Sequence, residues 1–146
     1  MVIATRPGQT WDYVLERDRV PAGATAEEAA RIQAQATVWK LAALSLADRA
    51  ALEDHIGQVD VQSRQFRTNT GSNTLTVLRV GLKGVENFCG PDAMPVTFQT
   101  SRKTVLGVGR DVPTDGFLEH IDPDDRRELA DAITEGQRLT TEEKKG

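Results

Sequence analysis

The chain has few of the residues that would hold it together covalently or through aromatic packing. Cys89 is the single cysteine among 146 residues, so no disulfide can form within the chain. This excludes the small secreted proteins that depend on a disulfide framework, and it fits a reducing cytoplasm. Only 5% of the residues are aromatic and 38% are hydrophobic, so we expect a modest core in one domain, residues 1–146, with prominent loops.

Positive charge and long apolar runs are scarce as well. The chain has 22 acidic and 18 basic residues and a net charge of -4, so we expect no stable nucleic-acid binding. No apolar run approaches the length of about 18 residues that a membrane helix requires. The first residues also lack the pattern of a standard export signal. We therefore expect no membrane partner.

Residues that could carry catalysis or bind a metal are isolated from one another. The two histidines, His55 and His120, do not show zinc-binding spacing, and one cysteine cannot build a thiolate zinc site. The loop Gly107–Arg110 lacks the third glycine and the following helix of a dinucleotide-binding loop. We interpret Cys89 as a small packed residue, because no base lies beside it in the sequence.

An acidic cluster near the C-terminus is the remaining candidate for ligand chemistry. It groups His120 with Asp122, Asp124 and Asp125, which could attract a divalent cation. Capping of a helix and favourable interaction with its dipole explain the same residues without a ligand. The sequence therefore predicts no catalytic residues, no cofactor-binding residues, no metal ligands and no enzyme.

Alternation and capping patterns predict the elements of the N-terminal half. The strand and helix signals are period-two alternation and the spacing of a capping box. A strand at 37–41 is favoured by its Thr, Val and Trp residues, although this segment could also extend the preceding helix. The predicted elements are a strand within 10–20 carrying Trp11, Tyr13 and Leu15, a helix at 26–35, a strand at 37–41, and a helix at 46–56 with Leu46, Ala50 and Ile56 on one face, ended by Gly57.

The middle of the chain is less regular. Its pattern predicts turns where Gly and Pro cluster and a helix where leucines follow helical spacing. The predicted elements are a polar loop at 59–73, a helix at 74–82 ending between Gly81 and Gly84, a turn at 88–92, a strand at 95–100, an extended piece or loop at 105–109, and one helical turn with Phe117 and Leu118 capped by Thr114 or Asp115.

The clearest helix follows Asp122, a favourable N-cap, with Pro123 at the first helical position. We expect it to reach Gly136, with Leu129, Ala130 and Ile133 on a narrow buried stripe and a frayed polar tail at 140–146. The residues expected to face water are Arg126, Arg127, Glu128 and Glu135. Together the elements predict an α+β fold, in which a small antiparallel sheet or hairpin packs with three or four short helices.

One segment resembles a known pattern. Residues 81–88 read Gly-Leu-Lys-Gly-Val-Glu-Asn-Phe, followed by Pro95-Val96-Thr97-Phe98. This is similar to a signature of small structural and morphogenesis proteins of tailed bacteriophages, which has Trp where Val85 stands and a more acidic turn after it. The order of the other predicted elements extends the resemblance over residues 10–138.

The resemblance implies a non-enzymatic virion component, such as a minor capsid, head–tail connector or tail-associated protein, assembled in the host cytoplasm. Its expected partners are other phage structural proteins and copies of itself, and no cofactor is implied. A tail assembly chaperone and a small host-directed regulatory protein are the alternatives. Trp11, Tyr13, Trp39 and Phe88 are candidates for either core or contact residues. We expect the contacts to come from the loop 59–73, the turn between Gly84 and Pro95 and the two termini.

Overall fold

The computed structural model describes residues 9–56 and 70–136 and has the expected α+β fold. A three-stranded antiparallel sheet has the strand order β1-β2-β3, and β4 and β5 form a separate antiparallel hairpin. The strands are β1 (Thr10–Tyr13), β2 (Val38–Ala42), β3 (Leu82–Glu86), β4 (Thr100–Val105) and β5 (Val108–Pro113). The helices are α1 (Ala26–Gln35), α2 (Leu46–Ile56), α3 (Thr70–Gly81), α4 (Asp115–Glu119) and α5 (Pro123–Thr134), with a 3₁₀ turn at Glu16–Asp18.

The three-stranded sheet has one buried and one polar face, as antiparallel sheets commonly do. Trp39 and Leu41 of β2 point into the core and are 1% and 0% exposed. On the opposite face Lys40 lies 2.5 Å from Asp12 of β1 and 3.8 Å from Glu86 of β3. The strand β2 is the central one, because it pairs with β1 on one side and with β3 on the other.

Helices α3 and α5 pack against each other in the core. Leu78 of α3 and Leu129 and Ile133 of α5 are completely buried, so the predicted apolar stripe on α5 is confirmed. Gly81 ends α3 where a Cβ atom would meet the Ile133 side chain and lie 2.9 Å from the Ala42 carbonyl oxygen. The close approach of α3, α5 and β2 therefore requires glycine at this position.

Local capping signals are confirmed at three helices. The Thr25 hydroxyl accepts from the Glu28 amide and the Glu28 carboxylate accepts from the Thr25 amide, which completes the capping box of α1. The Asp122 side chain caps α5, and Thr114 rather than Asp115 caps α4. Each cap satisfies an amide that has no partner within its helix.

The first strand is shorter than predicted. It ends at Tyr13, and Leu15 is buried outside it, where the chain enters the 3₁₀ turn. The alternation of buried residues continues to Leu15, but the pairing with β2 ends at Tyr13, so the sequence pattern overestimated the length of the strand.

The middle of the chain corrects two expectations. Residues 70–73 belong to α3 rather than to the polar loop, and Leu82 begins β3, a strand that was not predicted. The end of α3 at Gly81 lies within the predicted range. The sequence pattern missed β3 because this strand is specified by pairing with β2, and tertiary pairing overrides local preference. The remainder of the predicted loop, 59–69, and the tail 140–146 lie outside the described residues.

The predicted strand at 95–100 is largely wrong. Only an isolated bridge between Cys89 and Pro95 forms there, and β4 begins at Thr100. The 105–109 segment is the tip of the β4–β5 hairpin, where Leu106 and Gly107 have φ of +52° and +76°. Positive φ at both central residues is typical of a type I′ hairpin turn.

Two helix faces also differ from expectation. Leu46 is 86% exposed and Ala50 is exposed, whereas Leu52 is buried, so α2 presents a different face to the core. The Ile56 side chain and Gly57 lie outside the described residues. On α5, Arg127 and Glu135 are exposed as expected, but Arg126 and Glu128 are half-buried. The Tyr13 hydroxyl donates a hydrogen bond to Glu128, which draws this carboxylate toward β1.

Candidate interaction groove

Residues 88–96 form a narrow arm that folds back on itself beside the sheet; we call it the 88–96 arm. The Gly90 amide donates to the Met94 carbonyl at 2.9 Å, and the Val96 amide donates to the Phe88 carbonyl at 2.8 Å. At the tip, the Asp92 carboxylate accepts from the Met94 amide at 3.2 Å. Pro91 and Asp92 suit this tight turn because proline fixes one backbone angle and aspartate bonds to the backbone two residues on.

A groove of about 660 Å³ lies between the 88–96 arm and α4. One wall comes from the arm, one from the segment that follows it and one from α4. The lining residues are Gly90, Pro91, Asp92, Met94, Pro95, Val96, Thr97, Gln99, Gly116, Phe117 and His120. Met94 is 62% exposed, and it is one of three large apolar side chains that are exposed among the described residues.

Residues 96–99 run beside the groove between the tip of the 88–96 arm and β4, and they belong to none of the strands. Val96 and Phe98 are half-buried while Thr97 and Gln99 are exposed, which is the alternation of a strand. The ends of the segment are anchored by the Val96 amide and by the Gln99 carbonyl, which accepts from the Thr114 amide at 2.9 Å. Within the described part of the chain, no hydrogen bond involves the main-chain groups of Thr97 or Phe98.

Aromatic rings connect the groove to the core. The rings of Phe98 and Phe117 meet edge to face with centroids 5.0 Å apart. Phe117 is 5.9 Å from Phe88, which is in turn 5.0 Å from Trp39. Such pairs add to the stability provided by burial alone, so the groove rests on a well-packed base.

Gly116 keeps the groove open on the α4 side. A Cβ atom built at this residue would meet nothing within 4 Å. The helix itself is set by the Thr114 hydroxyl, which accepts from the Phe117 amide at 3.2 Å. A larger residue at position 116 would therefore project into free space without disturbing the backbone.

The charge of the groove is slightly negative. Among the described residues that line it, Asp92 is the one carboxylate, and no lysine or arginine is present. Glu119 is exposed on α4 next to the lining residue His120. The hydrogen bond and charge of Arg79 hold the pKa of the nearby α4 residue Asp115 below its usual value. The groove thus favours a cationic ligand over an anionic one.

Among the side chains that the structure describes, the other candidate residues do not converge on a reaction centre. Within residues 9–56 and 70–136, no three His, Cys, Asp or Glu side chains form a group that could hold a metal ion. Asp122 caps α5, and Asp125 is paired with Arg17 at 2.5 Å. Cys89 is exposed rather than packed, which corrects our expectation. The His55 side chain lies outside the described residues.

The Gly107–Arg110 loop is occupied by structural contacts. Gly107 belongs to the hairpin turn, and the Arg110 guanidinium binds both carboxylate oxygens of Asp48 at 2.6 and 3.2 Å. The pKa of Asp48 is held below its usual value first by this hydrogen bonding and further by Ser45. Arg110 is therefore committed to joining β5 to α2.

A second concave region of about 730 Å³ lies between the 3₁₀ turn and α1. Its charged lining residues are Glu16, Arg17, Asp18 and Arg19, so the two signs alternate along the chain. Arg19 also lies over the Tyr13 ring, 5.3 Å from its centroid. The mixed charge gives this region no preference for one kind of ligand.

The sequence singled out part of the groove and missed the rest. The expected contact turn between Gly84 and Pro95 includes residues 88–95 of the 88–96 arm, but residues 96–99 and 116–120 were not expected to join it. The alternation of Val96, Thr97, Phe98 and Gln99 was a usable signal. Of the candidate aromatics, Trp39 is buried, whereas Trp11, Tyr13 and Phe88 are partly buried and pack against the core.

Residues 81–88 contribute to both core and surface. Leu82 is buried and Phe88 joins the aromatic cluster, while Lys83, Glu86 and Asn87 are exposed. Asn87 has φ of +58° and its side-chain amide donates to the Ala36 carbonyl at 3.5 Å. The segment thus builds the last strand of the sheet and orients the 88–96 arm.

Comparisons with protein-family models, curated proteins and solved structures found no match for this chain. None of the described helices is both long enough and apolar enough to cross a membrane.

Proposed function

We propose that this protein is a non-enzymatic component of a tailed-bacteriophage particle that acts through protein–protein contacts. The observation that carries the proposal is the dual role of residues 81–88, whose sequence resembles the phage signature. This segment inserts Leu82 and Phe88 into the body and leads into the exposed 88–96 arm. The residues that resemble the phage signature therefore lead directly into an exposed surface that a partner protein can contact.

The groove supports a contact role through its chemistry. It combines the exposed side chain of Met94 with main-chain groups of Thr97 and Phe98 that have no hydrogen-bond partner among the described residues, and it rests on a packed aromatic base. Main-chain groups without a partner can bond to the main chain of another protein. We infer that partners are other phage structural proteins or further copies of this chain.

Quantitative mass spectrometry of purified phage particles tests this function. We expect the protein at a fixed ratio to the major capsid or tail protein, retained after density-gradient purification. Absence from particles together with abundance in the infected-cell lysate would favour a tail assembly chaperone. Absence from particles with binding to one protein of an uninfected host lysate would favour a host-directed regulator. The position of the gene between portal and tail genes would support either phage assembly role.

A further inference from the structure

We propose that the outer edge of the β4–β5 hairpin binds an extended, acidic segment of a partner protein, which adds beside β4 as a third strand. This deepens the proposed function and rests on it only for the kind of partner, a protein chain. Three features of the hairpin support it: the direction of the β4 main-chain groups, the exposure of this strand, and its positive charge.

The register of the hairpin determines which main-chain groups of β4 face away from β5. In an antiparallel pair, opposite residues alternate between exchanging two main-chain hydrogen bonds and exchanging none. The Thr114 amide donates to the Gln99 carbonyl at 2.9 Å, one pair beyond the pairing of Thr100 with Pro113. Pro113, which has no amide hydrogen, accordingly occupies a non-bonded pair. The even-numbered residues of β4 therefore direct their amide and carbonyl groups to the outer edge.

The outer edge of β4 is open among the described residues. Its outward-facing residues are Thr100, Arg102 and Thr104. Within residues 9–56 and 70–136, no other strand pairs with β4, and no hydrogen bond involves the outward main-chain groups of these three residues. All of residues 100–104 are exposed, although successive side chains point to opposite faces of the hairpin.

This geometry is the one that strand addition requires. The outward-facing residues follow one another at about 7 Å along the same edge, the spacing at which a neighbouring strand forms its hydrogen bonds. An incoming segment would satisfy these groups through its own main chain, as in domains that recognise extended peptides.

Charge selects among extended segments. Arg102 and Lys103 lie in the middle of β4. Arg102 is 3.6 Å from Asp111, but both side chains are 71% exposed, and exposed pairs of this kind are weak. Lys103 forms no ion pair within the described residues. Arg102 and Lys103 are therefore available to carboxylates of a partner.

The nearby carboxylate of Asp115 does not neutralise Lys103. Asp115 is already paired with Arg79 at 2.8 Å. The pKa of Asp115 lies below its usual value, first because of the hydrogen bond and charge of Arg79 and then because of the charge of Lys103. Positive charge thus remains at the outer edge, although the whole chain has a net charge of -4.

The same charges disfavour a second copy of β4 as the occupant. In an antiparallel pair of two β4 strands over their full length, Arg102 of one copy would lie opposite Arg102 or Lys103 of the other. Like charges directly opposite each other destabilise a sheet, and lysine on an edge strand commonly protects against self-pairing. Aspartate or glutamate at these positions converts the repulsion into attraction. The occupant is therefore an acidic segment of a different sequence.

A peptide selection tests the chemistry of the occupant. Random dodecapeptides displayed on yeast are selected on the full-length protein, with counter-selection on the double variant Arg102→Gln, Lys103→Gln. We expect the enriched peptides to be rich in aspartate and glutamate and to bind this variant at least tenfold more weakly. The double variant Arg31→Gln, Arg127→Gln removes the same charge from exposed residues of α1 and α5 and should bind within twofold of wild type. Failure to enrich acidic peptides, or equal losses in the two double variants, would overturn the proposal.

Amide hydrogen exchange, resolved by residue, separates strand addition from charge attraction alone. In the free protein the outward amides of Thr100, Arg102 and Thr104 should exchange faster than the amides of Ser101 and Lys103, which face β5. Binding of a selected peptide should slow the three outward amides at least tenfold. Protection of these amides in the free protein would show that the edge is already occupied. Unchanged exchange on binding would show that no strand is added, and either result refutes the proposal.

Two changes to the main chain test the same hydrogen bonds. Thr104→Pro removes an outward amide that forms no bond to β5, a position at which edge strands accept proline. It should weaken peptide binding at least tenfold, whereas Thr104→Val, which keeps the amide, should not.

Peptide variants test these bonds without altering the protein. A selected peptide is methylated at one or the other set of alternate nitrogens, which keeps every side chain and charge. The set that faces β4 should weaken binding at least tenfold, and the set that faces away should not. Equal binding by the unmodified peptide and both methylated peptides would refute strand addition. Tighter binding of an oligodeoxythymidine than of any selected peptide would instead assign the positive edge to nucleic acid.

These outcomes are distinct from those that test the proposed function. Absence of the protein from phage particles, with peptide binding intact, refutes the virion role and leaves the specificity of the β4 edge standing. Presence in particles, with no peptide binding, refutes strand addition alone.

Discussion

The Arg110 guanidinium on β5 holds both carboxylate oxygens of Asp48 at the start of α2, although 61 residues lie between them in the chain. Both side chains are largely buried, at 17% and 13% exposure. Arg110 also donates to the Val105 carbonyl at 3.2 Å, so the same side chain braces its own hairpin. A two-stranded hairpin is marginal by itself, and this pair ties the hairpin to the body of the protein.

Asp48→Asn should destabilise the protein at pH 7 by about 1–3 kcal/mol, because a charge-assisted hydrogen bond pair is lost. The pKa of Asp48 lies below its usual value in the folded protein. Its stabilising contribution is therefore complete above about pH 4, the unfolded value, and is lost as the pH falls through the folded pKa. Urea unfolding from pH 7 down to pH 2 should show the gap between wild type and variant closing in acid.

The pKa of Asp125 is shifted in the opposite direction to that of Asp48. Burial raises its pKa, an effect that Arg17 partly offsets and that Asp122 increases. Above the folded pKa of Asp125, its ionised carboxylate therefore lowers the free energy of unfolding. This destabilisation disappears below the pKa that Asp125 has in the unfolded chain. Asp125→Asn should be more stable than wild type at pH 7 and lose that advantage near pH 3. A variant that is less stable at neutral pH would show that the Arg17 pair outweighs burial.

Tyr13 should titrate far from its ordinary range. Burial, the hydrogen bond to Glu128 and the charge of Glu128 raise its pKa to about 12. Neutral Tyr13 thus stabilises the fold up to the unfolded value near pH 10, and this contribution is lost as the pH rises through about 12. Tyr13 is the single tyrosine in the sequence, so phenolate absorbance after a rapid pH jump reports on it alone.

Glu128→Gln is the control for that titration. It keeps a hydrogen-bond acceptor while removing the charge, so the Tyr13 pKa should fall but stay above 10. A Tyr13 midpoint near 10 in folded wild type would contradict the contact between β1 and α5.

Features specified by neighbouring residues could be predicted from the sequence. The capping box of Thr25 and Glu28 and the Asp122 cap are local, and both helices begin where these residues indicate. The start of α3 was missed because Thr70-Gly71-Ser72-Asn73 has turn composition, and packing of α3 on α5 overrides that preference. The strand β3 was missed because its partner β2 lies about forty residues earlier in the chain.

The groove could be predicted only in part for the same reason. The turn chemistry of the 88–96 arm is local and was anticipated. Residues 116–120 reach the groove because β4 and β5 return the chain and the Thr114 amide bonds to the Gln99 carbonyl. Because the β4–β5 hairpin brings α4 to the groove, the sequence around Gly116 contains no local pattern that would predict this contact.

Leu129→Asp should destabilise the protein by about 3 kcal/mol or more, because it places an unpaired carboxylate in the core. Leu129 is 0% exposed. Arg127→Asp puts the same residue on the exposed side of the same helix and should change stability by less than about 0.5 kcal/mol. Equal effects of the two changes in thermal unfolding would show that α5 does not bury the stripe.

Gly81→Ala and Gly116→Ala should act in opposite directions although both add one methyl group to a helix. In helices alanine is favoured over glycine by about 1 kcal/mol, so Gly116→Ala, where the new Cβ meets nothing within 4 Å, should stabilise by up to that amount. At Gly81 the new Cβ would meet the Ile133 side chain and lie 2.9 Å from the Ala42 carbonyl oxygen, which belongs to the backbone and cannot rotate away. Gly81→Ala should therefore destabilise by about 1–3 kcal/mol.

A double-mutant cycle with Ile133→Ala identifies the source of the Gly81 effect. Removing the Ile133 side chain is costly by itself because it is completely buried, but it also removes the atoms nearest the new methyl group. The double variant should therefore lose less stability than the sum of the two single variants. Strict additivity in chemical denaturation would assign the cost to the Ala42 carbonyl contact, whereas a neutral Gly81→Ala would contradict the close approach of α3 to α5 and β2.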